Sequence, residues 1–347
     1  MEQVITILPA RISKIKIDAH KSSSGFSMTS TFNNFLSNYI KNKKISRNEL
    51  IERLYKEREF QQLDHVTLSR WITGKTTPSL YKQVLIAKAL KISLLSFIKN
   101  TKHQKTNVTN KHEVVLNKFK QSFGITPMLY YSDVTTPLEY RLKNQNYQEH
   151  FHVFRAFYNN IEPLKRLAKD LLKLEDQLSY ECIVLTNSEK KIIGHFSQII
   201  DIEKINNSSN FISIPNGEIE KSTLAIMGCY ANEEQFLGLL VRALAQMSQN
   251  HFSQKEYIYI YVVGTMSQEL ITSLFYGEII RTYASKKAYS NIIVSLIKIN
   301  FVKALVNPLL FTKVSENLLC MQECTLDEQQ KFHCKVKCES VKRYTAH

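Results

Sequence analysis

Apolar positions along residues 31–100 recur with the spacing of helix faces. Phe32, Phe35, Leu36, Tyr39 and Ile40 fall at i, i+3, i+4, i+7 and i+8, one stripe of a 3.6-residue helix. Ser46 followed by Glu49 forms a Ser-x-x-Glu box and predicts a second helix whose apolar positions are Leu50, Ile51, Leu54 and Tyr55. Asp64 is a good N-cap for a third helix that turns Leu68, Trp71 and Ile72 inward, and Gly74 stops it. Pro78 or Ser79 starts a fourth, with Tyr81, Val84, Leu85, Ala87, Ala89 and Leu90 apolar, and Ser93 caps a short fifth around Leu94–Ile98.

Outside that block the pattern changes. Residues 1–30 are polar and end in Lys21-Ser22-Ser23-Ser24-Gly25, which reads as a flexible basic arm, although Val4–Leu8 would suit a short strand. Residues 101–150 read as a linker and connecting segment, polar at first, then aromatic-rich with the turns Thr126-Pro127 and Thr136-Pro137. From Phe151 helices and strands alternate. An amphipathic helical stretch over Val153–Leu178, interrupted near Pro163, precedes strands at Glu181–Leu185 and Ile192–Ile200, joined by the turn Thr186–Lys191. A strand at Thr223–Tyr230, a helix at Glu233–Asn250, a strand at Tyr257–Val263, a helix at Ser267–Tyr283 and a strand at Asn291–Lys298 follow. The expected architecture is multidomain: an all-α unit at 31–100, an α/β unit at 151–310 and a Cys-rich tail at 311–347.

With 347 residues, 44% hydrophobic and 22% charged, the chain has the balance of a globular protein, and 9 Gly and 7 Pro exclude collagen-like and low-complexity classes. No apolar run approaches the roughly 18 residues of a membrane span, and the N-terminus lacks the pattern of a secretory leader. The expectation is a cytoplasmic, nucleoid-associated protein that does not partner a membrane and whose cysteines stay reduced. Charge sharpens the picture. Of the net +15, residues 1–125 supply +14 (22 Lys/Arg against 8 Asp/Glu) and residues 126–347 only +1 (24 against 23). Such asymmetry points to a polyanion at the N-terminal part, or to a solvated lysine-rich surface.

The string Leu63-Asp64-His65-Val66-Thr67-Leu68-Ser69-Arg70-Trp71, then Gly74-Lys75-Thr76-x-Pro78-Ser79 and Ile86-Ala87-x-Ala89-Leu90, resembles the lambda-repressor/Cro (XRE) helix-turn-helix family over about 70 residues. The segment between Leu54 and Leu68 is several residues longer than the family's tight turn. The resemblance implies that the third helix enters the DNA major groove. Its outward face is His65, Val66, Thr67, Ser69 and Arg70. Arg70 suits a bidentate pair with a guanine edge and Val66 a thymine methyl. Lys75 and Thr76 in the turn, with Ser46 and Arg47 at a helix start, suit phosphate oxygens. The alternative for this face is a protein-interaction module.

The order helix, hairpin, strand, helix, strand, helix, strand from 151 to 300 resembles the GNAT (N-acetyltransferase) superfamily. The segment Ile192-Ile193-Gly194-His195-Phe196 is similar to its second hairpin strand and Leu224–Tyr230 to its central strand. The family's loop for the coenzyme A pyrophosphate, Gln/Arg-x-x-Gly-x-Gly/Ala, stands here as Gln235-Phe236-Leu237-Gly238-Leu239-Leu240. The resemblance implies an acetyl-CoA or other acyl-CoA site at Gln235 and Gly238. Leu240 in place of a small residue, and Glu233 and Glu234 beside an anion, count against it. Tyr276, in Leu274-Phe275-Tyr276, falls where the family keeps a tyrosine general acid, and is catalytic only if the domain is an active acyltransferase.

His195 is either a general base or ligand contact, or a partly exposed strand residue. Cys182 and Cys229 read as small core hydrophobes. Cys320-x3-Cys324 and Cys334-x3-Cys338 offer four thiolates for zinc, a redox pair, or an ordinary tail. Together these features predict a sequence-specific transcriptional regulator that binds double-stranded DNA as a homodimer. Its α/β unit would sense a small-molecule or protein effector or hold the dimer together. A DNA-binding acyltransferase and a component of a toxin–antitoxin or phage-defence locus are the alternatives.

Overall fold

The computed structural model describes residues 31–101, 108–122, 139–143, 147–174, 177–208, 212, 214–284 and 292–323, less positions 188, 190, 229 and 231. The N-terminal arm and half of the connecting segment, including its two X-Pro turns, lie outside the described residues.

Residues 31–100 are all-helical: α1 (Phe32–Lys43), α2 (Arg47–Leu54), α3 (His65–Thr73), α4 (Leu80–Ala89) and α5 (Leu94–Asn100). The capping residues account for the starts. Ser46, Asp64, Ser79 and Ser93 each accept a hydrogen bond from the backbone N–H three residues on. The box at α2 is only half closed, because Glu49 pairs with Arg53 at 2.6 Å instead of reaching back. Gly74 ends α3 at φ 75°, the left-handed conformation that suits glycine. The long segment before α3 is filled by a one-turn 3-10 helix, Arg58–Phe60, whose Phe60 is buried edge-on to Trp71 at 6.3 Å. The extra residues therefore add a hydrophobic plug to the bundle.

α6 (Asn110–Ser122), which the sequence reading left inside a linker, leads to strand β1 (Glu139–Lys143) and then α7 (Tyr147–Val153), α8 (Arg155–Asn160) and α9 (Glu162–Leu172). The rest follows as β2 (Tyr180–Thr186), β3 (Ile192–Ile199), α10 (Glu203–Ser208), β4 (Ser222–Met227), α11 (Glu233–His251), β5 (Tyr257–Val263), α12 (Thr265–Leu274), β6 (Glu278–Ala284), β7 (Ile293–Asn300), α13 (Phe301–Leu305) and α14 (Phe311–Glu323). The helix expected over Ser267–Tyr283 breaks after Leu274, where Tyr276 takes φ 54° and the chain turns into β6. Residues 311–323, read as tail, form α14, whose apolar face (Val314, Leu318 and Leu319) is buried in the core.

Among the described residues the strands make one seven-stranded sheet in the order β1-β2-β3-β4-β5-β7-β6. Only β4 and β5 run parallel, as the α11 crossover between them requires. The central strands are buried on both faces and so read as nearly continuous apolar runs. In β5, Tyr259 and Tyr261 face the layer of α7 to α10, while Ile258, Ile260 and Val262 face α11 to α14. The second of these cores continues without a break into α1–α5. Lys88 of α4, almost fully buried, donates to the Lys255 carbonyl at 2.9 Å. The all-helical segment and the α/β layer thus share one hydrophobic core.

Candidate functional site

The α3 surface follows from its periodicity. Leu68 and Trp71 are buried, which leaves His65, Val66 and Arg70 exposed and Thr67 and Ser69 half-buried on the outer face. Val66 is 60% exposed, an unusual position for a β-branched apolar side chain. Thr67 is less available than the sequence implied, because both its N–H (2.6 Å) and its hydroxyl (2.9 Å) are held by the Asp64 carboxylate. Those bonds keep the Asp64 carboxyl below its ordinary range. Lys75 and Thr76, in the turn after Gly74, and Ser46 and Arg47, at the start of α2, are also exposed. Arg70, Lys75 and Arg47 carry no ion pair among the described residues. The Ser46 hydroxyl is engaged in capping α2.

The residues proposed for a coenzyme sit behind β4 at the start of α11. Asn232 caps that helix by accepting from the Gln235 N–H at 2.9 Å. The Gln235 side chain is buried, Gly238 is half-buried, and Leu240 is turned into the core toward Phe196, Ala225 and Leu244. Leu240 therefore plugs no helix mouth; it fills space under the sheet. What covers the first turn of α11 is α6. Phe119 of α6, 1% exposed, packs against Phe236 at 5.1 Å and Tyr230 at 6.2 Å. The Tyr230 hydroxyl is 3.0 Å from that of Ser267 in α12, and Lys118 of α6 pairs with Glu269 at 3.2 Å. The groove between α11 and α12 is thus bridged by aromatic packing. Tyr276 is 65% exposed, beyond the end of α12.

Other expectations fare differently. His195 is fully buried, which excludes the partly exposed strand residue the sequence allowed; β3 is a central strand covered on both faces, and the rings of His150, Phe154 and Phe157 lie over His195. Cys182 is buried as expected, while Cys229 lies outside the described residues. Cys320 is buried on α14, and Cys324, Cys334 and Cys338 lie outside the described residues. The sequence reading missed His150, a buried side chain of α7 beside His195. Its neighbours Tyr147, Phe151, Phe154, Phe157 and Tyr158 formed a dense aromatic run around it that marked the spot.

No family model matches the chain, and no curated protein matches it. Among solved structures, the chain is similar to a provisionally assigned acetyltransferase from Acinetobacter baylyi, with 11% identity over 48% of this chain and 94% of that one, TM-score 0.30. A variant of the spermidine N-acetyltransferase of Vibrio cholerae aligns at 16% identity over 48% of this chain and 97% of that one, TM-score 0.31. A provisionally assigned GNAT-family acetyltransferase from Desulfovibrio desulfuricans aligns at 11% over 48% and 99%, TM-score 0.28. Superpositions at this level decide neither activity nor substrate. No helix among the described residues is long and apolar enough to cross a membrane.

Proposed function

We propose that the protein is a double-stranded-DNA-binding transcriptional regulator that reads base edges through α3. The observation that carries the reading is the outer face of that helix. It presents Val66 and Arg70 to solvent beside Lys75, with no ion pair to occupy either cation among the described residues. A buried Trp71 and a glycine stop fix its inner side. The concentration of positive charge in the first third of the sequence supports a phosphate-rich partner. In this reading Arg70 recognises a guanine edge, Val66 a thymine methyl, and Lys75 and Arg47 the flanking phosphates.

The test is a mobility-shift titration on a site selected from genomic DNA. Arg70→Ala should cost on the order of 1–3 kcal/mol and relax preference at one base pair. Lys75→Ala should weaken all sequences alike and lower the salt slope by about one unit. Wild-type binding by both variants, or no selectable site at all, overturns the reading.

A second reading, an acyl-CoA-dependent acyltransferase, is favoured by the succession of elements from α9 to β7 and by Gln235 and Gly238 at the first turns of α11. Phe119, packed across that turn, opposes it. Calorimetric titration with acetyl-CoA separates the two: binding in the low micromolar range favours the enzyme.

A further inference from the structure

Between α7 and the hairpin β2–β3 lies a closed aromatic chamber. His150 descends from α7, Cys182 stands on β2 and His195 on β3, and all three are fully buried. The strand register places Cys182 opposite Ser197 and Val184 opposite His195, so Cys182 and His195 are diagonal neighbours on one face. One ligating atom from each of the three residues lies within 4.8 Å of the other two. Phe154 stacks on His195 at 3.8 Å, Phe157 meets its edge at 5.6 Å, and Tyr180 packs on His150 at 4.9 Å. Gly228 closes the floor: a Cβ there would overlap the His195 ring and carbonyl.

An imidazole removed from water ordinarily engages both nitrogens, because an unpaired buried polar atom has its desolvation uncompensated. Here neither ring nitrogen of His195, nor Nδ1 of His150, nor the Ser197 hydroxyl has a hydrogen-bond partner among the described residues. His150 Nε2 stands 2.8 Å from the Tyr158 hydroxyl. When Nε2–H donates to Tyr158, Nδ1 carries the lone pair, the outer arrangement that orients a metal-bound imidazole. Burial keeps both rings neutral, His195 down to about 3 and His150 well below its ordinary value, which is the form a ligand needs.

We propose that His150, Cys182 and His195 form a buried structural site for one closed-shell, thiophilic metal ion, Cu+ or Zn2+. Bond lengths of about 2.0 Å to nitrogen and 2.3 Å to sulfur set ligand–ligand separations of roughly 3.3–3.7 Å. The three ligand atoms, within 4.8 Å of one another, then have at most about 1.5 Å to close. The Cys182 thiol gives its proton to solvent as the sulfur–metal bond forms, and no electron is transferred. Two neutral imidazoles and one thiolate cancel the charge of Cu+. Burial moves His195, and on His150 the added influence is His195 itself, so no carboxylate among the described residues acts on either ring. Zn2+ leaves one positive charge and calls for a fourth donor, for which Ser197, across from Cys182, is placed by register. The chamber has no exposed ligand, so the ion enters as the chain folds.

The full chain is expressed in medium supplemented with zinc or copper, purified anaerobically without chelator, and assayed by plasma mass spectrometry. About one equivalent of one of the two metals per chain is expected. It should persist when Cys320, Cys324, Cys334 and Cys338 are changed together to Ser, and fall at least tenfold in Cys182→Ala and in His195→Phe. Circular dichroism confirms that the variants fold. If a variant fails to fold, Co2+ substitution of the chain with the four C-terminal cysteines changed to Ser decides: thiolate-to-cobalt charge transfer is expected, and its absence refutes the site. Less than a tenth of an equivalent in the parent chain, or metal lost only with the four C-terminal cysteines, also overturns the proposal.

Discussion

Acidification should destabilise this protein through His195, and the size of the effect follows from burial. The folded chain holds the His195 ring neutral down to about pH 3, while the unfolded chain binds a proton near pH 6.5. The folded value is depressed for a base, so the stability it contributes is complete above pH 6.5 and is lost as pH falls toward 3. Between pH 7 and pH 5 the unfolded chain takes up about three-quarters of a proton that the folded chain refuses, and the integrated loss is about 2 kcal/mol. His150, depressed by burial and by its neighbour His195, adds a loss in the same direction. Urea unfolding of metal-stripped protein at pH 7 and pH 5 measures the total. His195→Phe keeps an aromatic ring in the chamber and removes the titration, so the difference between parent and variant cancels every other titrating group except His150, which feels His195 directly. The variant should lose about 2 kcal/mol less stability than the parent over that interval. If the two chains lose stability equally, to within about 0.5 kcal/mol, His195 is protonated in the folded state and the closed chamber is wrong.

Phe60→Ala should cost about 3–5 kcal/mol, read as a lower thermal midpoint, because a fully buried ring edge-on to Trp71 is removed with little chance of collapse. A Phe119→Ala chain should bind acetyl-CoA no better than the parent if the α11 start has lost its coenzyme role. A new micromolar site in that variant would show that α6 merely covers a working one. Light scattering of the full chain should give a dimer, and Ile279→Lys or Ile280→Lys on the exposed edge strand β6 should shift it toward monomer; a parent chain that is already monomeric refutes the expectation.

Four of the five helices at 31–100 were legible because their starts carry a chemical signal; α1, whose Thr31 makes no side-chain cap, was legible from its apolar stripe alone. Ser46, Asp64, Ser79 and Ser93 are local caps, and local signals survive in sequence. β5 was legible for a different reason: seven apolar residues in a row leave a buried strand little alternative. α6 was hidden by its polar surroundings. Only His112, Val115 and Phe119 of its thirteen residues are buried, and what they pack on lies more than a hundred residues away. The break between α12 and β6 was missed because Leu-Phe-Tyr-Gly continues a helical apolar pattern, and the decisive left-handed turn falls on Tyr276, a residue that rarely adopts it. The aromatic run marked His150, but its companions were not legible from it. His150, Cys182 and His195 are separated by 32 and 13 positions and meet only through strand register and a helix laid over it.

The shared core constrains how any signal reaches α3. Lys88 of α4 donates to the Lys255 carbonyl, and the Lys255 ammonium in turn donates to the carbonyls of Ile200, past the end of β3, and Glu220, before β4. Both lysines are nearly buried, and burial holds both ammonium groups below their ordinary pKa. Their donors are therefore committed to backbone acceptors, and loss of either contact strands a polar group away from water. α5 and α13 extend the contact with apolar side chains, and Lys303 lies 5.9 Å from the centre of the Tyr81 ring. A tethered reading head would change DNA affinity by freeing or ordering its linker. If α3 reads DNA as proposed, it lacks that freedom, because Phe60 and Trp71 brace it within the bundle and the bundle packs on the sheet. Under the proposed DNA-binding function, an effector of the α/β layer would have two routes: shifting the packing of α4 against the sheet, or changing how two protomers sit across the roughly 34 Å between half-sites. The first route predicts that Lys88→Met, which keeps the stem and removes the donor, alters DNA affinity of an isolated protomer. The second predicts that the same change leaves protomer affinity intact and alters only the spacing preference between half-sites.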